Sequence, residues 1–133
     1  MTMSSKEIVA YVMWKLGCTH PFRISRLLLL AEYSYRETYG KALAEDLTYR
    51  GAEFGFYIEE LPRIIEEYEK FGCIERDERR RCLKFTCNPP SLSGVEKKLL
   101  DKIIDETRKL EDKQLNKLVL HHPLYSEIVK EMR

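Results

Sequence analysis

The chain has 133 residues, of which 44% are hydrophobic and 34% are charged, and its 23 basic residues against 22 acidic residues give a net charge of +1. The length predicts one domain, residues 1–133, and the balanced charge excludes a general attraction to nucleic acid or to anionic membranes. No signal peptide and no apolar run of about 20 residues is found, so we expect a cytoplasmic protein with no membrane partner.

Two helices are predicted before Gly40. Ser4 or Ser5 caps the first helix, which ends at Gly17. The second helix has Thr19 as its predicted cap and a proline in its first turn, where the missing N–H costs nothing. Apolar side chains surround most of its circumference, so we expect it to be a central helix. These apolar positions are Ile24, Leu27, Leu28, Leu29, Leu30, Ala31 and Tyr35.

The middle of the chain is predicted to contain a short strand, a third helix and a β-hairpin. Residues 41–57 are less regular, with a strand at 47–49 and glycine bends after it. The third helix spans 58–72 and carries a proline in its first turn. Residues 73–76 and 81–86 flank a charged turn, and the second of these segments alternates in polarity, which predicts an antiparallel hairpin.

The remaining chain is predicted to be helical. A fourth helix begins at Ser93 through a capping box with Glu96. Its inward-facing residues are predicted to be Val95, Leu99, Ile103 and Leu110. Two shorter helices follow at 114–121 and 125–132, separated by Pro123. The elements together predict a mainly α-helical, compact multi-helix domain with a small β-hairpin.

This domain is predicted to have two parts and no catalytic site. Residues 1–88 form a helical core with the hairpin, and residues 92–133 form the C-terminal helices. The chain has no glycine-rich phosphate loop and no nucleophile beside a base. The adjacent acidic residues at 59–60 and 66–67 splay over a helix surface instead of converging. We therefore predict no enzymatic activity, no catalytic residue and no cofactor.

The cysteines leave three interpretations open. They are Cys18, Cys73, Cys82 and Cys87, and none forms a C-x-x-C pair. A zinc site would combine Cys82 and Cys87 with His121 or His122, but this spacing matches no known zinc pattern, so we predict no metal. Buried free thiols are common. Few side-chain amides and many charged residues are typical of thermophiles, where a disulfide between Cys73 and a hairpin partner is tolerated.

Three helices followed by a hairpin is also the element order of winged-helix domains, which bind DNA. The candidate phosphate-contacting residues at the hairpin are Arg76, Arg79, Arg80 and Arg81. The third helix would be the recognition helix, but acidic residues outnumber basic ones along it, and such a face repels DNA phosphates. A winged-helix transcriptional regulator is therefore the alternative function, with nucleic acid as a disfavoured partner.

Aromatic residues offer a candidate protein-binding surface. Phe54, Phe56 and Tyr57 cluster in the irregular segment before the third helix. Aromatic side chains are favoured at interface centres, and irregular segments on a rigid scaffold often carry function. Because so short a segment cannot easily turn all three rings inward, we expect Phe56 to be at least partly exposed and to contact a partner protein.

Several strings resemble the Panacea, or SocA-like, antitoxin domain family. Residues 21–28 (PFRISRLL) are similar to the opening of that family's second helix, and 39–43 (YGKAL) to the step after it. Residues 54–61 (FGFYIEEL) resemble the segment before the family's next helix, with Phe56 in place of a proline. Residues 92–100 and 115–125 resemble its closing helix and ending.

The resemblance implies a non-enzymatic protein-binding module of antitoxin or adaptor type. The implied partner is a toxin-like protein, which such a module binds or delivers to a protease. A homodimer is compatible with the same sequence. The tryptophan that the family has near residues 51–53 is absent here.

Overall fold

The structure is a computed structural model that describes residues 4–53 and 55–130, and in this part of the chain it has six helices and four strands. The helices are α1 (Ser5–Leu16), α2 (Pro21–Tyr39), α3 (Leu61–Lys70), α4 (Gly94–Thr107), α5 (Asp112–Leu120) and α6 (Tyr125–Ile128). The strands are β1 (Tyr49–Ala52), β2 (Gly55–Ile58), β3 (Ile74–Asp77) and β4 (Cys82–Phe85). The prediction of a mainly α-helical fold with a small β-hairpin is confirmed. No described helix is both long enough and apolar enough to cross a bilayer.

Helix α2 is the central helix of the fold. It packs against α1, α4 and α5, and ten of its 19 residues are buried. Its cap differs from the prediction, because the Nδ1 atom of His20, not the side chain of Thr19, accepts a hydrogen bond from the Phe22 N–H at 3.1 Å. Thr19 instead forms a β-bridge with Leu83, with N···O distances of 2.9 and 2.6 Å. This bridge attaches the β3–β4 hairpin to the junction between α1 and α2.

The segment predicted to be less regular contains a second hairpin. Strands β1 and β2 pair antiparallel, with Gly51 opposite Phe56. The fully buried carboxylate of Glu32 holds the chain before β1, because it accepts hydrogen bonds from the Leu43 and Ala44 N–H groups at 2.7 and 3.3 Å. Strand β1 lies two residues further toward the C-terminus than the predicted strand at 47–49, and the third helix begins at Leu61, after β2 has ended.

Helix α4 presents a different face from the predicted one. Val95 is exposed, and Leu99 and Leu110 are only partly buried, whereas Ile103 is buried as expected. The buried residues are Glu96, Leu100, Ile103, Ile104 and Thr107, which repeat at helical spacing. Ser93 occupies the cap position, but its side chain makes no capping hydrogen bond.

The C-terminal helices close the fold over α2, with α5 beginning two residues earlier than predicted and α6 ending earlier than predicted. The Tyr33 hydroxyl donates a buried hydrogen bond to the Val119 carbonyl at 2.9 Å, which joins α2 to α5. Helix α6 ends at Ile128, and Lys130 forms a parallel bridge beside β1. The end of the predicted helix at 125–132 lies outside the described residues.

Candidate functional site

A groove of about 340 Å³ lies between the start of α2, strand β2, the start of α3 and the β3–β4 hairpin. We call it the α2–α3 groove. Its apolar walls include Phe22, Ile58, Leu61, Pro62, Ile65 and Leu83. Two arginines, Arg26 and Arg76, also line it. A mostly apolar cavity of this size with a few polar groups has the general form of a ligand-binding site.

Arg26 is the most unusual residue of the groove. It is only 5% exposed, although a buried arginine normally requires a charged partner. Its guanidinium lies between two aromatic rings, 3.9 Å from the ring centroid of Phe22 and 4.4 Å from that of Phe56. Arginine stacks well on aromatic faces, because its planar cation is attracted to the ring quadrupole. The two rings therefore fix the plane of the guanidinium.

The hydrogen-bond acceptors of Arg26 are all neutral. Its Nε donates to the Asn116 side-chain oxygen at 2.9 Å, and its Nη1 donates to the Ser25 hydroxyl at 2.9 Å and to the Phe56 carbonyl at 3.3 Å. Within residues 4–53 and 55–130, no carboxylate lies at ion-pair distance from Arg26. Burial lowers the pKa of the Arg26 guanidinium, because removal from water disfavours the charged form.

The predicted partner-binding residues separate in the structure. Phe56, predicted to be at least partly exposed, is only 3% exposed, so that prediction is wrong. Strand geometry gives the reason, since successive side chains point to opposite faces and β2 directs Phe56 inward and Tyr57 outward. Tyr57 lines the groove and is 45% exposed. Phe54 lies outside the described residues.

Phe56 is held inside by aromatic neighbours as well as by Arg26. Its ring centroid lies 6.2 Å from that of Tyr49 and 6.3 Å from that of Tyr125, and the latter contact is edge-on. The hydroxyl of Tyr125 donates to the Gly55 carbonyl at 3.2 Å. Phe56 therefore joins the β1–β2 hairpin to the C-terminal segment and forms one side of the arginine stack.

Arg76 is already engaged by a carboxylate. Its Nε and Nη2 atoms donate to the two oxygens of Glu69 at 2.7 and 2.6 Å. This bidentate pair raises the pKa of Arg76 and lowers that of Glu69, mainly through the hydrogen bonds. Arg76 therefore adds no net charge to the groove and is poorly placed to contact a nucleic-acid phosphate.

The other predicted phosphate contacts lie at the exposed tip of the β3–β4 hairpin. Arg79, Arg80 and Arg81 are all exposed. Arg80 approaches Asp77 at 3.7 Å, and Arg81 has a left-handed backbone with φ of 54°. The hairpin thus brings these three arginines together at one tip and leaves them accessible to an anion.

The acidic residues of α3 are partly neutralised. Glu67 lies 2.5 Å from the ammonium group of Lys6, and Glu66 lies 3.5 Å from that of Lys70. The hydrogen bond from Lys6 lowers the pKa of Glu67, so that this carboxylate stays charged. Pairing with lysines on the same surface reduces the negative potential of α3 without making it basic.

The cysteines are paired, so the expectation of buried free thiols is wrong. Cys18 pairs with Cys82 and Cys73 with Cys87, with Cα–Cα distances of 5.3 and 4.9 Å. Both distances lie within the range that a disulfide spans. Of the three open interpretations, the structure agrees with the disulfide of Cys73, and its partner Cys87 lies just after the hairpin strand β4. The first pair links the α1–α2 junction to β4, and the second closes the base of the β3–β4 hairpin.

The candidate zinc ligands from the sequence were Cys82 and Cys87 with a histidine. The two cysteines belong to different disulfides, so they do not form a zinc site. In the described part of the chain, one group of metal-ligating side chains comes close together, namely Cys18, Asp77 and Cys82. Two of its three members are joined in a disulfide, which removes their thiolates as ligands.

The contacts of His122 are structural. Its Nδ1 atom accepts a hydrogen bond from the Leu124 N–H at 3.1 Å, and its Nε2 atom lies 2.9 Å from the Glu37 carboxylate. Its ring also stacks on Tyr33, with the centroids 4.0 Å apart. Because both ring nitrogens are engaged, neither is placed to take a proton from a substrate.

The sequence interpretation missed Arg26, although a signal was present. Arg26 lies inside the apolar face of a helix predicted to be packed on several sides. A charge at such a position must be paired, or must line a site. Phe22, which stacks on Arg26, lies four residues before it on the same helix.

Comparisons of the chain with family models, with curated proteins and with solved structures give no match. The resemblance to the Panacea family therefore remains an expectation, and the functional proposal depends on the geometry of the α2–α3 groove.

Proposed function

We propose that this chain is a non-enzymatic protein-binding module of antitoxin or adaptor type. The observation that carries the proposal is Tyr57, an aromatic side chain that is 45% exposed beside a mostly apolar groove. Tyrosine contributes a large contact area at a low cost in side-chain entropy, and exposed aromatic residues beside pockets are typical centres of interfaces. A toxin-like partner is what the family resemblance implies.

The absence of catalysis is also part of the proposal. Among the described residues, His122 has both nitrogens engaged, and the carboxylates of Glu67 and Glu69 are held by basic side chains. The proposed setting is the cytoplasm of a thermophile. Few side-chain amides and two cysteine pairs support that setting, because intracellular proteins of such organisms tolerate disulfides.

A pair of tyrosine variants tests the protein-binding proposal. Tyr57→Ala removes the rim residue, and Tyr39→Ala is the matched control, because Tyr39 is 48% exposed at the far end of α2. The tagged chain is used to capture its partner from the source organism, and the purified partner is then titrated against each variant. We expect Tyr57→Ala to weaken binding about 30-fold or more, and Tyr39→Ala to leave it unchanged. Equal effects of the two variants on binding would show that Tyr57 does not lie in the interface.

Analytical sedimentation of the wild-type protein alone shows whether the chain associates with a second copy of itself, as opposed to binding only a different protein.

A winged-helix DNA-binding regulator is the second candidate. The bridge between Thr19 and Leu83 and the three exposed arginines of the hairpin tip favour it. The engagement of Arg76 by Glu69 and the lack of a basic face on α3 count against it. Mobility-shift measurements with duplex DNA at graded salt distinguish the two candidates.

A further inference from the structure

A cluster of metal-ligating side chains lies where the β3–β4 hairpin meets the junction between α1 and α2. It consists of Cys18, Asp77 and Cys82, and a sulfur or carboxylate oxygen atom of each lies within 4.8 Å of those of the other two. Cys18 and Cys82 are joined in a disulfide. Reduction of this disulfide would leave two thiols and one carboxylate at the same place, and zinc binds both kinds of ligand.

We propose that the reduced protein binds one zinc ion through the thiolates of Cys18 and Cys82 and the carboxylate of Asp77. The disulfide removes this site, and a reductant restores it. The sequence interpretation predicted no metal, because its candidate zinc ligands included neither Cys18 nor Asp77. The proposal does not depend on the protein-binding function proposed above.

Backbone contacts that do not involve the disulfide hold the three residues together. Asp77 and Cys82 lie opposite each other in the register of the β3–β4 hairpin, so their side chains project from the same face. Thr19 and Leu83, the chain neighbours of Cys18 and Cys82, form the β-bridge with N···O distances of 2.9 and 2.6 Å. Because reduction breaks neither contact, we expect the three ligands to stay close together in the reduced protein.

The distances between the cysteines fit a zinc ion. The Cα atoms of Cys18 and Cys82 are 5.3 Å apart. A zinc ion lies about 2.3 Å from each ligating sulfur, so two such sulfurs are separated by about 4 Å in a tetrahedral site. Rotation of the two side chains after reduction allows both sulfurs to reach one ion.

Asp77 can supply the third ligand atom. Its Oδ1 accepts a hydrogen bond from the Arg80 N–H at 3.1 Å, which leaves Oδ2 to bind the metal. Two thiolates and a carboxylate carry three negative charges, of which zinc neutralises two. The guanidinium of Arg80, with Nε 3.7 Å from Oδ2 of Asp77, lies beside the remaining charge. An open cavity of about 360 Å³ adjoins Asp77 and Cys82 and has room for a water molecule as the fourth ligand.

The change of redox state is a thiol–disulfide exchange with a dithiol reductant. A thiolate of the reductant attacks the sulfur of Cys18, which is the exposed partner, and the S–S bond breaks to release the Cys82 thiolate. The second thiol of the reductant then attacks the mixed disulfide, and the reductant leaves as a disulfide after giving up two electrons. Its two protons pass to the protein thiols, and zinc releases them when it binds.

Zinc titration of the wild-type protein in both redox states is the first test. One sample is reduced with dithiothreitol and freed of it under nitrogen, and the other keeps its disulfides. Both are titrated with Zn²⁺ in competition with a metal indicator. We expect the reduced protein to bind Zn²⁺ about tenfold or more tightly than the oxidised protein. Co²⁺ should give a thiolate-to-metal absorption band with the reduced protein only.

Equal Zn²⁺ affinity in the two states, or Co²⁺ binding without the thiolate band, would overturn the proposal. Circular dichroism of the reduced protein accompanies the titration. If reduction unfolds the chain, Zn²⁺ should restore the spectrum of the folded protein, and a chain that stays unfolded with Zn²⁺ would also overturn the proposal.

Two double variants, both reduced, show which cysteines bind the ion. Cys73→Ala with Cys87→Ala keeps the proposed ligands, and we expect it to bind one Zn²⁺ with the affinity of the reduced wild type. Cys18→Ala with Cys82→Ala keeps the other two thiols, and we expect it to lose this binding. Equal affinities of the two double variants would contradict the assignment.

A pair of single variants tests the carboxylate ligand. Asp77→Asn keeps an oxygen that can accept the Arg80 hydrogen bond and removes the charge, and we expect it to weaken Zn²⁺ binding by the reduced protein about tenfold or more. Glu75→Gln is the matched control, because Glu75 is exposed on the same strand and lies outside the cluster. Equal affinities of the two variants would remove Asp77 from the site. If Cys18→Ala with Cys82→Ala does not fold, these single variants and the wild-type titration decide the question.

Discussion

Arg26 and Phe56 are joined twice, through the side chain and through the backbone. The guanidinium lies 4.4 Å from the centroid of the Phe56 ring, and its Nη1 donates to the Phe56 carbonyl at 3.3 Å. The first contact connects a helix to the ring of a strand residue, and the second connects the same helix to the strand itself. The β1–β2 hairpin is therefore fixed to α2 at the floor of the groove.

Phe56→Ala should destabilise the protein by about 3–5 kcal/mol, because it removes a buried ring and leaves a cavity beside Arg26. Tyr57→Ala, at the next position of the same strand, should change the free energy of unfolding by less than about 0.5 kcal/mol. Denaturant unfolding of both variants measures the difference. Similar stability of the two variants would show that β2 does not direct Phe56 inward.

Duplex DNA should bind weakly at most. The hairpin tip offers three exposed arginines, but Arg76 is held by Glu69 and α3 carries paired acidic residues. We expect any mobility shift to disappear between about 50 and 200 mM salt, as for binding through phosphates alone. Nanomolar affinity for one defined DNA sequence at physiological salt would instead favour the function of a winged-helix transcriptional regulator. Replacement of Arg79, Arg80 and Arg81 by glutamine tests whether residual binding comes from the tip.

Asp101 should stabilise the fold at neutral pH. Burial alone would raise its pKa, but the hydrogen bonds from Tyr11 and Lys97 and the charge of Lys15 lower it overall. A carboxyl whose pKa is lower in the folded protein than in the unfolded chain contributes stability above its unfolded pKa, of about 3.9, and loses it as the pH falls through the folded value. Asp101→Asn should therefore be less stable at pH 7, and the gap should narrow in acid. Urea unfolding of both proteins, from pH 7 into the acid range, measures the difference in their free energies of unfolding. A difference that does not change with pH would show that the charge of Asp101 does not stabilise the fold.

The two cysteine pairs should each stabilise the protein. The cysteines of one pair are 14 residues apart and those of the other are 64 residues apart in the chain. In the chain-entropy description, each disulfide lowers the conformational entropy of the unfolded chain. For loops of these lengths the free energy of the unfolded state rises by about 3 and 4 kcal/mol, respectively. Removal of the disulfide with the shorter loop, by Cys73→Ala and Cys87→Ala, should therefore lower the free energy of unfolding less than replacement of Cys18 and Cys82 by alanine. Alkylation of the unfolded, unreduced protein should find no free thiol, and labelling of all four cysteines would refute both bridges.

Local signals were sufficient for the elements whose ends are marked by special residues. Ser4 and Gly17 delimit α1, and a proline and Gly40 delimit α2, because caps and left-handed glycines act within one turn of helix. The β3–β4 hairpin followed from alternation and a charged turn. The β1–β2 hairpin did not, because its short strands alternate weakly and because β1 also contacts a segment far away in the chain, through the bridge between Arg50 and Lys130.

The sequence by itself determined the helical class, the central position of α2 and the basic tip of the hairpin, since each depends on periodicity or composition within a short segment. Only the tertiary structure decided which face of α4 is buried, that Phe56 points inward, and that Arg26 lies between two rings at the floor of a groove. These features depend on how segments far apart in the chain meet, because a side chain is buried by its neighbours in space and not by its own pattern. The candidate site is for this reason a property of the assembled fold.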